Sequence, residues 1–123
     1  MLDVFPADRI VSGIGEQPAI VHLRDFGVGG FTSGCVCVAP DRSMQMMHAI
    51  HAGDFEAAEM IRQWFCPLED LRNGINPIRV LHRAVELAGI ATTGPIQPLL
   101  SDVTPEDSAK IQTALQQMQS TLR

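Results

Sequence analysis

Tyrosine is absent from this chain, and lysine occurs once, at Lys110. A mechanism that needs a phenol relay or a buried lysine amine therefore has almost nothing to draw on. No run of about 18 apolar residues occurs, so no membrane-spanning helix and no membrane partner are expected. Nine basic residues stand against fourteen acidic ones, a net charge of −5. No basic cluster marks a face for a phosphate backbone, so no nucleic-acid partner is expected. The opening residues, MLDVFPADR, lack the basic and apolar stretches of a secretory leader, which makes the cytoplasm the default expectation. What the chain does have is 46% hydrophobic and 19% charged residues over 123 positions. That composition argues against disorder. It suffices for a single domain burying roughly two-thirds of its unfolded surface.

The three cysteines are Cys35, Cys37 and Cys66, an odd count. Cys35-Val36-Cys37 lies in a β-like run, where alternation would send both thiols to one face. A zinc site needs a second ligand pair at finger-like spacing, and none exists. His48 and His51 stand three apart on an expected helix and can share a face, but no third ligand lies near them in sequence. The cysteines are thus expected to be reduced, buried small hydrophobes. No metal and no cofactor are expected.

Residues 9–13 read as a short buried strand ending at Gly13-Ile14-Gly15. Glu16 to Phe26 reads as a helix with Pro18 in its first turn and Gly27 as its stop. Gly-Ile-Gly is too short for a dinucleotide fingerprint, since Pro18 stands where the third glycine belongs. Residues 30–38, apolar or small nearly throughout, read as a second strand buried on both faces. Strand, helix and strand in this order make a βαβ unit with a parallel sheet.

Beyond Pro40 the pattern is helical. Pro40 to Ala52 is expected to pack on Met44, Met47 and Ile50, with Gly53 as its stop and Asp54 as the cap of the next helix. Phe55, Ala58, Ile61, Phe65, Leu68 and Leu71, at spacings of 3, 3, 4, 3 and 3, trace one face of that helix. Pro67 predicts a kink in it. Trp64 marks either a packed face or an interface. Asn76 and Pro77 open a third helix with Ile78, Leu81 and Val85 inward and Gly89 at its end. Residues 91–103 read as an irregular connector. Thr104-Pro105-Glu106-Asp107 starts a last helix with Ile111, Leu115, Met118 and Leu122 on its stripe. Met44, Met46, Met47 and Met60 read as packing residues. His22 and His82 read as solvated or capping.

Two parallel strands do not make a sheet that stands alone, because both edges stay open. The order of motifs offers a resolution. Ile10-Val11-Ser12-Gly13, a helix, Gly30-Phe31-Thr32-Ser33-Gly34 and Val38-Ala39-Pro40 resemble the end of a (β/α)8 barrel of the dihydrodipicolinate synthase and N-acetylneuraminate lyase superfamily. Ala52-Gly53-Asp54 resembles that family's helix junction. Pro67-Leu68 resembles its Met-Pro-Leu stretch, and Asn76-Pro77-Ile78 its Asn-Pro-Ile-Pro motif. Pro95 to Thr104 resembles its connector to the final helix. The resemblance runs from about residue 8 to 120 and rests on order and spacing rather than on one motif.

The resemblance implies an α/β fold: residues 1–39 as the last βαβ unit of a TIM barrel, strands seven and eight, and residues 40–123 as a C-terminal helical extension. A whole barrel takes about 250 residues, so six strands are missing. It also implies class I aldolase-type chemistry, in which a lysine forms a Schiff base with pyruvate or another 2-keto acid and a tyrosine relays protons. Neither element lies in this chain, and Lys110 on the last helix reads as a solvated surface lysine. The chain alone is thus expected to be inactive. The resemblance places Gly13, Thr32 and Ser33 at the substrate mouth: Gly13 and Thr32 by their backbones, Ser33 by its hydroxyl. Ile14-Gly15 stands where the synthase has two aspartates, and Gly34-Cys35 where it has bulkier residues. Synthase, sugar-acid lyase and dehydratase activities therefore stay open. The partners it implies are a small 2-keto acid substrate and either further copies of the chain or a complementing barrel chain. The alternative is a small autonomous helical interaction module.

Overall fold

The computed structural model describes residues 4–120. The chain forms two compact units, one reaching to Gln63 and the other beginning at Trp64. The first holds two short parallel strands, β1 (Val11–Ser12) and β2 (Gly30–Phe31), joined by helix α1 (Ala19–Phe26). Val11 pairs with Gly30 and Ser12 with Phe31. The hydrogen bonding runs one residue further each way, with Gly29 N donating to Ile10 O at 2.9 Å and Thr32 N to Ser12 O at 2.7 Å. The βαβ unit stands as expected, but its strands are shorter than residues 9–13 and 30–38. Helix α1 starts at Ala19 rather than Glu16, after a turn in which Ala19 N donates to Glu16 O.

The largest correction concerns Cys35-Val36-Cys37, which form a 3-10 turn and not a strand. Cys37 N donates to Gly34 O, and Val38 N to Cys35 O. The reason lies just upstream: the Ser33 hydroxyl accepts from Cys35 N at 3.0 Å, a local side-chain bond that competes with a sheet ladder. Cys35 is buried and Cys37 exposed, so the two thiols do not share a face, while Cys66 is half-buried.

Helix α2 (Pro40–Ala52) ends at Gly53, whose φ of 77° is the left-handed conformation a helix stop requires. Its buried side is Ser43, Met46 and Ile50, with Met47 half-buried and Met44 exposed. The observed stripe is rotated from the expected one, because Met46 rather than Met44 enters the core. Met60 is also exposed and packs little. Ala19, Ile20 and Leu23 of α1 join Met46, Ile50 and Ala58 in one cluster, with Phe31, Phe55 and Ile61 packed around it.

Helix α3 (Phe55–Gly74) is capped by Asp54, whose Oδ1 accepts from Ala57 N at 3.0 Å. It stays helical through Pro67. Proline carries no N–H, so the Gln63 carbonyl lacks its usual donor four residues on. The division between the two units falls at that residue.

In the second unit, helix α4 (Pro77–Leu87) packs on helix α5 (Pro105–Ser120). Asn76 caps α4 as expected, with Oδ1 accepting from Ile78 N and Arg79 N, both at 3.0 Å. Thr104 Oγ1 caps α5 by accepting from Asp107 N at 3.1 Å. The inward residues of α4 are Val80 and Ala84; Ile78 is exposed, and Leu81 and Val85 are half-buried. Small Ala84 lets the partner helix approach, which a reading by side-chain size overlooks. Ile111, Leu115 and Met118 face inward on α5, whereas Leu122 lies outside the described residues. Trp64 belongs to a packed face: its indole N–H donates to Met118 O at 2.5 Å, and its ring meets Phe65 edge-on at 4.9 Å. No helix among the described residues is long and apolar enough to cross a membrane.

A Cβ at Gly29 would lie 2.0 Å from the Asp8 backbone oxygen. Gly29→Ala is therefore expected to cost about 1–3 kcal/mol in urea unfolding. Gly74→Ala meets open space and is expected to gain about 0.4–1 kcal/mol in the same assay. The Glu59 carboxyl is held down from 4.5 to about 2 by its hydrogen bonds from Arg62 and then Gln63. Its folded value is the lower one, so the pair stabilises above about pH 4.5 and the gain fades as pH falls toward 2. Because the carboxylate is 42% exposed, that gain stays near a surface pair's ~0.2–1 kcal/mol. Carbon-detected NMR is expected to show Glu59 titrating below 4.5, and closer to it in Arg62→Ala.

Candidate functional site

The C-terminal ends of two parallel strands bring Gly13 and Thr32 side by side. A Cβ at Gly13 would lie 4.0 Å from Thr32 Oγ1, and both residues are exposed. Parallel pairing in register causes this, since Ser12 pairs with Phe31 and the next residue of each strand must emerge on the same rim. Beyond Gly13 the chain turns through Gly15, whose φ of 110° is open to glycine and strained for other residues. That turn drives Glu16 inward.

Glu16 is fully buried. Its Oε1 accepts from the Ser43 hydroxyl at 2.7 Å, and its Oε2 accepts a short bond from the Ser33 hydroxyl. Ser33 in turn accepts from Cys35 N. One carboxylate thus ties the turn after β1 to the turn after β2 and to α2. Charge-assisted bonds of this kind are about twice as strong as neutral ones, and they offset the cost of burial. Ser33 is therefore close to the rim, but its hydroxyl is engaged inward.

A second polar pair sits behind the rim. Ser12 Oγ and His22 Nδ1 are 2.8 Å apart, with Ser12 buried. His22 is thus half-buried and secures the end of β1 to α1. His82 stands elsewhere, with Nδ1 3.3 Å from Thr93 Oγ1. His48 and His51 lie on α2 outside the Glu16 network, and both are exposed.

Sequence reasoning brought Gly13, Thr32 and Ser33 to one place, and the structure brings them together. It missed Glu16 and the Ser12–His22 pair. The available signal was a lone acidic residue between Gly15 and Pro18, directly after a strand, where no cap or ion-pair partner stood at helical spacing. Lys110 lies on α5, 3.0 Å from Glu106 and 3.2 Å from Asp107. Its pKa is raised, chiefly by the hydrogen bond to Glu106 and then by that to Asp107.

Known proteins share this order of elements. The model of the dihydrodipicolinate synthetase family matches residues 7–118. The 4-hydroxy-tetrahydrodipicolinate synthase of Methanosarcina barkeri is 31% identical over 105 residues, covering 85% of this chain and 35% of that protein. The dihydrodipicolinate synthase of Oceanobacillus iheyensis superposes with a TM-score of 0.79 at 26% identity, over 89% of this chain and 37% of its own. The Bacillus clausii enzyme gives 0.79 at 25% identity, with the same coverage. The chain spans about a third of the length of the relatives it matches. The two strands and five α-helices of the described residues agree with a part of a barrel.

The Glu16 network generates a prediction. Ser33→Ala and Ser43→Ala each remove one hydroxyl donor from a buried carboxylate, and each is expected to cost about 1–3 kcal/mol in denaturant unfolding. In a Cys37→Ser, Cys66→Ser background, Cys35 is expected to resist an aqueous thiol reagent. Adding Ser33→Ala, which frees the 3-10 turn, is expected to speed its labelling severalfold.

Proposed function

The chain belongs to the dihydrodipicolinate synthetase family, and from that premise we propose that it forms the C-terminal part of a Schiff-base lyase acting on pyruvate or a related 2-keto acid. Residues 1–39 then supply the seventh and eighth barrel strands with their helix, and residues 40–123 the helical extension. The observation that carries this reading is the pair of parallel strand ends with Gly13 and Thr32 exposed on one rim, in a chain matching about a third of its relatives. Barrel enzymes do their chemistry at that rim. Gly13 leaves room for a substrate to approach the backbone, Thr32 offers backbone and hydroxyl groups, and Ser33 holds the turn through Glu16.

By the same reading the chain is inactive alone. A Schiff-base nucleophile must lose its proton, and enzymes arrange this by desolvation or by a nearby cation. Lys110 has the opposite surroundings: two carboxylates on an exposed helix face, which favour the ammonium form. The reacting lysine and the proton-relaying tyrosine must then come from residues outside this sequence, in a longer chain or in a complementing one. The outer edges of β1 and β2, unpaired among the described residues, are where further strands would add.

Incubation with pyruvate and borohydride, read by intact mass and peptide mapping, tests the proposal. The expected result is no adduct on this chain by itself. Together with a chain carrying the first six βα units of a family barrel, a single adduct is expected on that chain's lysine. A stoichiometric adduct on Lys110 overturns it.

A further inference from the structure

The second unit contains a cleft of about 530 Å³. It is lined by Arg79, His82, Arg83 and Glu86 of α4, by the connector including Asp102, and by the start of α5 at Pro105 and Ser108. That volume is within the range of about 300–1,000 Å³ typical of small-molecule sites.

Two arginines, Arg79 and Arg83, and two carboxylates, Glu86 and Asp102, line the cleft, but they do not all pair with one another. Arg83 is satisfied, with Nη1 2.5 Å from Glu86 and Nε donating to Ser108 at 2.9 Å. Arg79 differs: among the described residues it donates to the main-chain oxygen of Asp102 at 2.5 Å and to no carboxylate. The Asp102 carboxylate is turned to Ile96 N at 3.2 Å. Among the described residues, the buried Arg79 Nε has no acceptor. A buried charged donor without an acceptor costs more than a lost neutral bond. Arg79 also lies in the first turn of α4, where the helix dipole disfavours a cation. Neither the α4 helix nor its own ion pairs account for a guanidinium there.

We propose that this cleft binds a small oxyanion, a carboxylate or a phosphate, anchored on Arg79. The planar guanidinium offers paired donors that such an oxygen pair meets in bidentate fashion. The N-terminus of α5, a helix of 16 residues, lines the same cleft, although Glu106 and Asp107 of its first turn already offset its positive end. The ring of His82 supplies a further polar group there. The site is independent of the lyase reading, since none of its residues lies near the strand ends in sequence or belongs to their unit.

Amide NMR of the full chain, titrated with succinate and separately with inorganic phosphate at constant ionic strength, tests this. Saturable shifts are expected in α4 and residues 94–105, with a dissociation constant of about a millimolar. Tighter succinate binding identifies a carboxylate ligand, and tighter phosphate binding a phosphate. Arg79→Gln is expected to weaken binding about tenfold or more, and Arg62→Gln, in the other unit, to leave it unchanged. Should Arg79→Gln lose helix content, Arg79→Lys decides, because it keeps the charge but not the fork; at least about threefold weaker binding is expected. No saturable shift with either anion overturns the proposal, as does unaltered binding in the Arg79 variants.

Discussion

A single buried carboxylate organises the first unit of this chain. Glu16 sits between two serine hydroxyls from elements 17 and 27 residues away in sequence. Burying a carboxylate is costly unless its oxygens are met by donors, so the network tolerates little displacement of any member. Its geometry sets where the chain leaves β1, where it leaves β2 and how α2 begins. Gly15 makes this possible by turning the backbone through a positive φ. The exposed residues Gly13 and Thr32 flank the turns that this buried group ties together.

The same network explains why the second strand stops early. Ser33 serves two partners, donating to Glu16 and accepting from Cys35 N. Once the Cys35 amide is bonded to a side chain two residues back, it cannot join a ladder. The chain closes instead into a 3-10 turn that buries one thiol and exposes the other.

The helices show which features were legible from one dimension. Caps and stops were: Asn76, Thr104, Asp54, Gly27 and Gly53 each act through groups within a few residues, so their chemistry is visible in the sequence. The directions of the helix faces were less so. Met46 displaces Met44 from the core, and Val80 and Ala84 displace Ile78 from the inner face of α4. A stripe read by side-chain size favours large residues, whereas close packing between helices also selects small ones.

For the candidate site, the sequence by itself determined the order of strand, helix and strand, the family to which that order belongs, and that lysine occurs once, at Lys110. These depend on residue type, spacing and count, which are properties of the linear chain. Only the tertiary structure decided that Gly13 and Thr32 meet on one rim, that His22 secures Ser12, and that Glu16 lies beneath them with Ser33 and Ser43. It also decided that Arg79 lines a cleft with no carboxylate partner among the described residues. Each of these joins groups many residues apart, and their distances exist only once the strands have paired and the helices have packed.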